Sequence, residues 1–395
     1  MRFSSRVDMG EPNAIAQAEI AAARHGTKLR KLNDSNPTRF GLAPRILSEE
    51  YDANPRGPLM ARRALANFLN ERNSFDSHGA SRIDADSLYV LSSTSQAYSW
   101  LFKLLCDPGD IVLAPKPGYP LIASIAKLEG VTTMDYRLQY DGSWFIDTAE
   151  VEALLEADTR HHIRALVVIN PNNPTGSYVK PGERERFVEL CRKYEVAIIA
   201  DEVFYDYDLK PFAGNARWAG EKGVLTFALD GFSKMLAAPH AKVGWIQVSG
   251  PQEDVEQAQR RLDVIADDYL PMGDLIATRI PELLALAPEQ TALVKQRVQN
   301  NFHMVQRILE QRPEHLVSML RAEGGWNVLL RFPAVVDDDT MVLSLIERHG
   351  LSGQPGYFFD LASDGYLTVS LLPEPEELTH RIDEVLDTIA MLCKA

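Results

Sequence analysis

Cysteine is scarce in this sequence, with three residues, Cys106, Cys191 and Cys393, in a chain of 395. They lie far apart, so they offer neither a metal-binding spacing nor a paired framework. A reducing compartment, the cytoplasm, is the expectation. Positive charge is also short. Lys and Arg number 41 against 55 Asp and Glu, a net charge of -14, which speaks against nucleic acid or an anionic membrane as partner. No apolar run is long enough to span a bilayer. The first residues include Asp8 and Glu11 and show no signal-peptide core. Internal repeats and low-complexity tracts are absent. What is present is an ordinary globular composition, 45% hydrophobic and 24% charged, long enough for two domains.

Several short apolar runs read as strands of a buried parallel sheet, each followed by a polar loop and a helical pattern. Ser87–Leu91 leads into Ser92-Ser93-Thr94-Ser95-Gln96-Ala97 and a helix through Leu105. A turn of small hydroxyl residues at a helix N-terminus can hold an anion, and Ser or Thr also serves there as a plain N-cap. Ile111–Ala114 leads into Pro115-Lys116-Pro117-Gly118-Tyr119-Pro120. Arg164–Ile169 runs into Asn170-Pro171-Asn172-Asn173-Pro174-Thr175-Gly176. Val196–Ala200 ends at Asp201-Glu202-Val203-Phe204-Tyr205. A carboxylate at the end of a buried strand is costly unless it is paired. Val224–Leu229 ends at Asp230-Gly231-Phe232-Ser233-Lys234, with Lys242-Val243-Gly244-Trp245 further on. A lysine beside apolar neighbours at a strand's carboxyl end can lose its proton and attack a carbonyl carbon.

Taken together and in this order, the motifs resemble those of pyridoxal phosphate (PLP)-dependent aminotransferases of class I/II, fold type I, from about Leu32 onward. The resemblance implies an α/β fold with a large domain, a mostly parallel seven-stranded sheet flanked by helices, over residues 46–284. It implies a smaller α/β domain, discontinuous in sequence, from 1–45 and 285–395, with a long helix from about Pro288 to Gln311. It implies a homodimer acting on an amino acid and a 2-oxo acid by a ping-pong mechanism.

The same resemblance assigns roles. Lys234 is the Schiff-base lysine and proton shuttle. Asp201 pairs with the pyridine nitrogen, and Asn173 donates to the phenolic oxygen. Tyr119 lies against the ring. Ser93, Thr94, Ser95 and Ser233 line the phosphate site. Tyr51 reaches the phosphate of the other subunit, and Asn36 fits either a turn or a substrate contact.

Departures from the family pattern are equally specific. Ser93 stands at a usual glycine and Gly231 at a usual phosphate-binding serine. Lys242 replaces an arginine, keeping charge but losing the bidentate fork. Phe204 replaces a tyrosine that bonds the phenolic oxygen. Thr368, in Tyr366-Leu367-Thr368-Val369-Ser370, replaces the arginine that binds the substrate carboxylate. Arg331, ending the strand from Trp326, is either a surface ion-pair residue or the group that replaces this clamp. Other PLP chemistries of the same fold stay open: a carbon–sulfur β-lyase, a decarboxylase or synthase, and a non-catalytic PLP-sensing module.

Overall fold

Apolar runs, most of them largely buried, form the strands in the computed structural model, which describes residues 1–6, 20–21, 24–26, 53–72, 81–210 and 214–394. The strands are β1 (Leu88–Leu91), β2 (Ile111–Lys116), β3 (Thr132–Tyr140), β4 (Trp144–Ile146), β5 (Ile163–Ile169), β6 (Ala197–Asp201), β7 (Thr226–Gly231) and β8 (Gly244–Ser249). They make one eight-stranded sheet in the order β1-β8-β7-β6-β5-β2-β3-β4. From β7 through β3 every neighbouring pair is parallel, while β8 runs antiparallel to both β7 and β1. Seven strands were expected; the eighth is β4, a short antiparallel edge strand folded back on β3. Its three residues are too few to show as a pattern in sequence.

Because β1, β2, β5, β6 and β7 point the same way, their carboxyl ends share one edge. The loops that follow these five strands therefore open on that edge. Alternate side chains of β5 face opposite cores. Ala165, Val167 and Ile169 pack with the helices Thr94–Leu105 and Gln252–Tyr269. Leu166 and Val168 pack with the helices Leu59–Arg72 and Pro181–Lys193. Among the described residues no helix is long and apolar enough to cross a membrane.

A second sheet is built from β9 (Ser318–Met319), β10 (Asn327–Arg331), β11 (Gln354–Pro355) and β12 (Tyr366–Ser370), in the order β11-β12-β10-β9 with antiparallel pairing throughout. Val328, Leu330, Leu367 and Val369 pack against the helices Ile280–Gln311, Asp338–His349 and Pro375–Leu392 to form a third core. The long helix starts at Ile280 rather than at Pro288, which lies inside it. Ile280, Leu284, Ala287 and Thr291 are buried at helical spacing, so one packed face runs across the proline and outweighs its missing N–H. The expected boundary at 284–285 falls inside this helix.

The two sheets meet at Gly176. Its carbonyl accepts from the N–H groups of Glu323 (3.0 Å) and Gly324 (2.9 Å). Gly176 has φ +69°, and a Cβ there would lie 2.6 Å from the Gly324 carbonyl oxygen, so only glycine fits this approach.

Candidate active site

Lys234 sits in a single helical turn, Phe232–Met235, directly after β7. The turn is held from below by Tyr207, whose hydroxyl lies 2.7 Å from the Lys234 carbonyl oxygen and 3.0 Å from that of Met235. The Lys234 ammonium stands 5.4 Å from the centroid of the Phe204 ring and 5.3 Å from that of Trp326. Burial lowers its pKa from the ordinary lysine value, and the Asp201 carboxylate partly opposes this. A lysine so placed gives up its proton more readily than a surface lysine.

Asp201 ends β6 and is 4% exposed. Tyr98 donates to its Oδ2 at 3.0 Å and the Val203 N–H to its Oδ1 at 3.2 Å. Burial raises its pKa to about 6, against the effect of both hydrogen bonds and of Lys234. Among the described residues no cation lies within ion-pair distance of it. A buried carboxylate, held by two donors and lacking an ion-pair partner, is suited to a cationic N–H group.

Asn170 and Asn172 serve the loop itself. Asn170 Oδ1 accepts from the Val179 N–H, and Asn172 donates to the Pro117 carbonyl and to Thr175 Oγ1. Asn173 instead accepts at Oδ1 from Asn327 Nδ2 of β10, at 3.2 Å. The adjacent loop carries Tyr119, whose pKa is raised by burial and then by the Asp201 carboxylate. Tyr119 follows β2, which runs parallel to β5 and β6, so its loop lies on the same edge as Asp201.

The start of β8 is packed closely against both the Lys234 segment and the Ser93–Thr94 backbone. Gly231 pairs with Gly244 across β7 and β8. A Cβ on Gly244 would lie 3.1 Å from the Thr94 nitrogen and the Ser93 carbonyl carbon. The Lys234 loop is thereby laid against the N-terminus of the helix Thr94–Leu105. Ser93 is the N-cap of that helix, its Oγ accepting from the Gln96 N–H, and Thr94 and Ser95 open its first turn. Free N–H groups and the helix dipole favour an anion there. Ser233 lies in the Lys234 turn, partly buried. Lys242 is exposed, with φ +52°, two residues before Gly244.

The structure thus gathers Lys234, Asp201, Asn173, Tyr119 and Phe204 with the Ser93–Ser95 turn. Asn36 and Tyr51 lie outside the described residues. Tyr205 turns away, its ring 4.2 Å from the Arg217 guanidinium and edge-on to Tyr178. β6 stops at Asp201, so Phe204 and Tyr205 belong to a turn and not to a continuing strand. Thr368 lies opposite Leu329, with its hydroxyl oxygen buried and lacking a hydrogen-bond partner among the described residues. Arg331 is exposed at the end of β10. Four residues of strand put it roughly 13 Å from Asn327, so it is not brought to Asn173. Sequence reasoning missed Tyr98, Tyr207, Trp326 and Asn327. Only Trp326, after the Gly324-Gly325 pair, carried a local signal.

The class I and II aminotransferase family model matches residues 53–385. The chain is similar to an alanine aminotransferase from Mycobacterium tuberculosis, 28% identical over 91% of this chain and 85% of that one. It is also similar to a glutamate-pyruvate aminotransferase from Haemophilus influenzae, 27% identical over 94% and 93%. An alanine aminotransferase structure from Pyrococcus furiosus shares the fold, with a TM-score of 0.75 at 21% identity over 99% of this chain and 100% of that one. The chain belongs to the class I and II aminotransferases, enzymes that work with pyridoxal phosphate and move an amino group between an amino acid and a 2-oxo acid.

Proposed function

We propose that this aminotransferase takes a small neutral amino acid as donor and 2-oxoglutarate or pyruvate as acceptor, in keeping with the names of its alanine and glutamate-pyruvate relatives. The observation that carries the residue roles is the Lys234 amine, set beside both the Phe204 and Trp326 rings, with the buried Asp201 carboxylate acting on its charge. Pyridoxal phosphate, when bound, supplies an electron sink for the substrate's Cα–H bond. The Asp201 carboxylate holds the proton on the ring nitrogen. Asn173 donates to the phenolic oxygen, and Tyr119 lies against the ring. The Ser93–Ser95 turn, Ser233 and Lys242 hold the phosphate. Lys234 Nζ would carry the cofactor, take the substrate's α-proton and return it at the cofactor's aldehyde carbon, on the far side of the nitrogen. Both half-reactions use this one site, which gives a ping-pong order.

Thr368 takes the place of the carboxylate arginine. In the β10–β12 register it lies diagonal to Asn327, roughly 7 Å away between Cα atoms. Its hydroxyl oxygen is buried and lacks a hydrogen-bond partner among the described residues. Assembly as a homodimer is supported by exposed apolar side chains on and beside the long helix, Leu275, Leu286 and Leu293. The cytoplasm is the compartment that three unpaired cysteines suit.

The test is a panel of amino donors, each with 2-oxoglutarate and with pyruvate. Alanine with 2-oxoglutarate should give pyruvate and glutamate. Pyruvate released from cysteine or cystathionine without any acceptor would replace this reading with a β-lyase.

A further inference from the structure

We propose that Asn327, on the second sheet, is a positioning residue that fixes which end of the Asn173 amide faces the cofactor's phenolic oxygen. The inference rests on the role given to Asn173 above.

Asn327 opens β10 and pairs with Ser370 of β12. Side chains alternate along the strand. Val328 and Leu330 belong to the core of the second sheet, whereas Leu329 belongs to a core of the large one. Asn327 shares the Leu329 face and so looks toward the large sheet. Its Nδ2 donates to Asn173 Oδ1 at 3.2 Å. Among the described residues this is the one hydrogen bond of the Asn173 side chain.

A side-chain amide has an acceptor at one end and two donors at the other, and the two flipped orientations fill nearly the same space. A donor placed at one end selects between them. With Asn327 Nδ2 on its oxygen, the Asn173 NH2 makes no hydrogen bond among the described residues. A flip of Asn173 alone would bring two donors together and turn a carbonyl oxygen to the phenolic oxygen, so the two amides are coupled in orientation. The selection matters more here than in a site with two donors. Phe204 stands where the resemblance implies a tyrosine hydroxyl, and it has none. The charge on the phenolic oxygen therefore depends on one amide, whose orientation is set from the other sheet.

The test is a double-mutant cycle on the holoenzyme, read by the pH midpoint of the bound cofactor's absorption spectrum. Removing a donor from the phenolic oxygen makes that oxygen hold charge less well, so the proton is kept to higher pH. Asn327→Leu should raise the midpoint by roughly one pH unit, the scale of one lost hydrogen bond. In an Asn173→Ala background the same substitution should add no shift. Asn327→Ala runs the same cycle if the leucine variant does not fold. An unmoved midpoint with Asn327→Leu, where Asn173→Ala does move it, overturns the proposal alone. So does an equal shift in both backgrounds, which a general packing role would produce. A midpoint unmoved by Asn173→Ala overturns the proposal together with the role of Asn173.

Discussion

The Tyr98 hydroxyl donates to Asp201 Oδ2 at 3.0 Å, and both residues are almost wholly buried. The pair joins the helix that follows β1 to the end of β6, and it keeps a carboxylate in place where water does not reach.

Keeping that carboxylate ionised has a cost that depends on pH. Its pKa rises from 3.8 to about 6 in the fold, so the folded chain holds the proton more tightly than the unfolded chain. The resulting stability is full below pH 4 and is lost as pH climbs through 6. At neutral pH the cofactor-free protein carries a penalty on the order of 3 kcal/mol. Asp201→Asn is nearly isosteric, and the Tyr98 hydroxyl can accept as well as donate. The cofactor-free variant should therefore be more stable than the cofactor-free wild type at pH 7.5, by about 1–3 kcal/mol. The gain should shrink near pH 4.5. Denaturant unfolding at the two pH values checks this, and an equal difference at both would refute it.

Of the two lysines after β7, Lys234 is partly buried with a lowered pKa, while Lys242 is exposed. Borohydride reduction of the holoenzyme should fix the cofactor on the peptide bearing Lys234. The Lys234→Ala protein should retain no reducible cofactor. An adduct mapping to Lys242, or to no lysine, would remove Lys234 from the chemistry.

Phe204 faces the Lys234 amine and packs edge-on to Trp326, with centroids 5.4 Å apart. Phe204→Tyr would place a hydroxyl beside the cofactor's phenolic oxygen and add a donor. The pH midpoint of the cofactor spectrum should fall, by about one unit. A spectral titration showing no change, or a rise, would mean that this ring does not point at the oxygen.

The sheet, its strand-end loops and the residues Asn173, Asp201 and Lys234 were legible in the sequence, because each motif sits within a few residues of an apolar run. The supporting residues were not. Tyr98 lies among the apolar positions of its helix and reads as core until Asp201 is seen opposite its hydroxyl. Tyr207 reaches the Lys234 turn across 27 residues, and Asn327 reaches Asn173 across 154. Contacts of that separation leave no trace in periodicity. The start of the long helix was misplaced for the opposite reason, since a strong local signal at Pro288 was overridden by the packed face on either side of it.

The seam at Gly176 gives the second sheet a fixed point close to the reacting groups. Asn327 lies three residues past Gly324, so roughly 10 Å of extended chain separates it from that point. Over so short an arm, a rotation of about 10° moves Asn327 by roughly 2 Å, while the far ends of the helices sweep several times as far. A displacement of 2 Å is still enough to part a donor and acceptor that stand 3.2 Å apart. A shift of about 2 Å in the seating of the second sheet would therefore be enough to break the contact between Asn327 and Asn173.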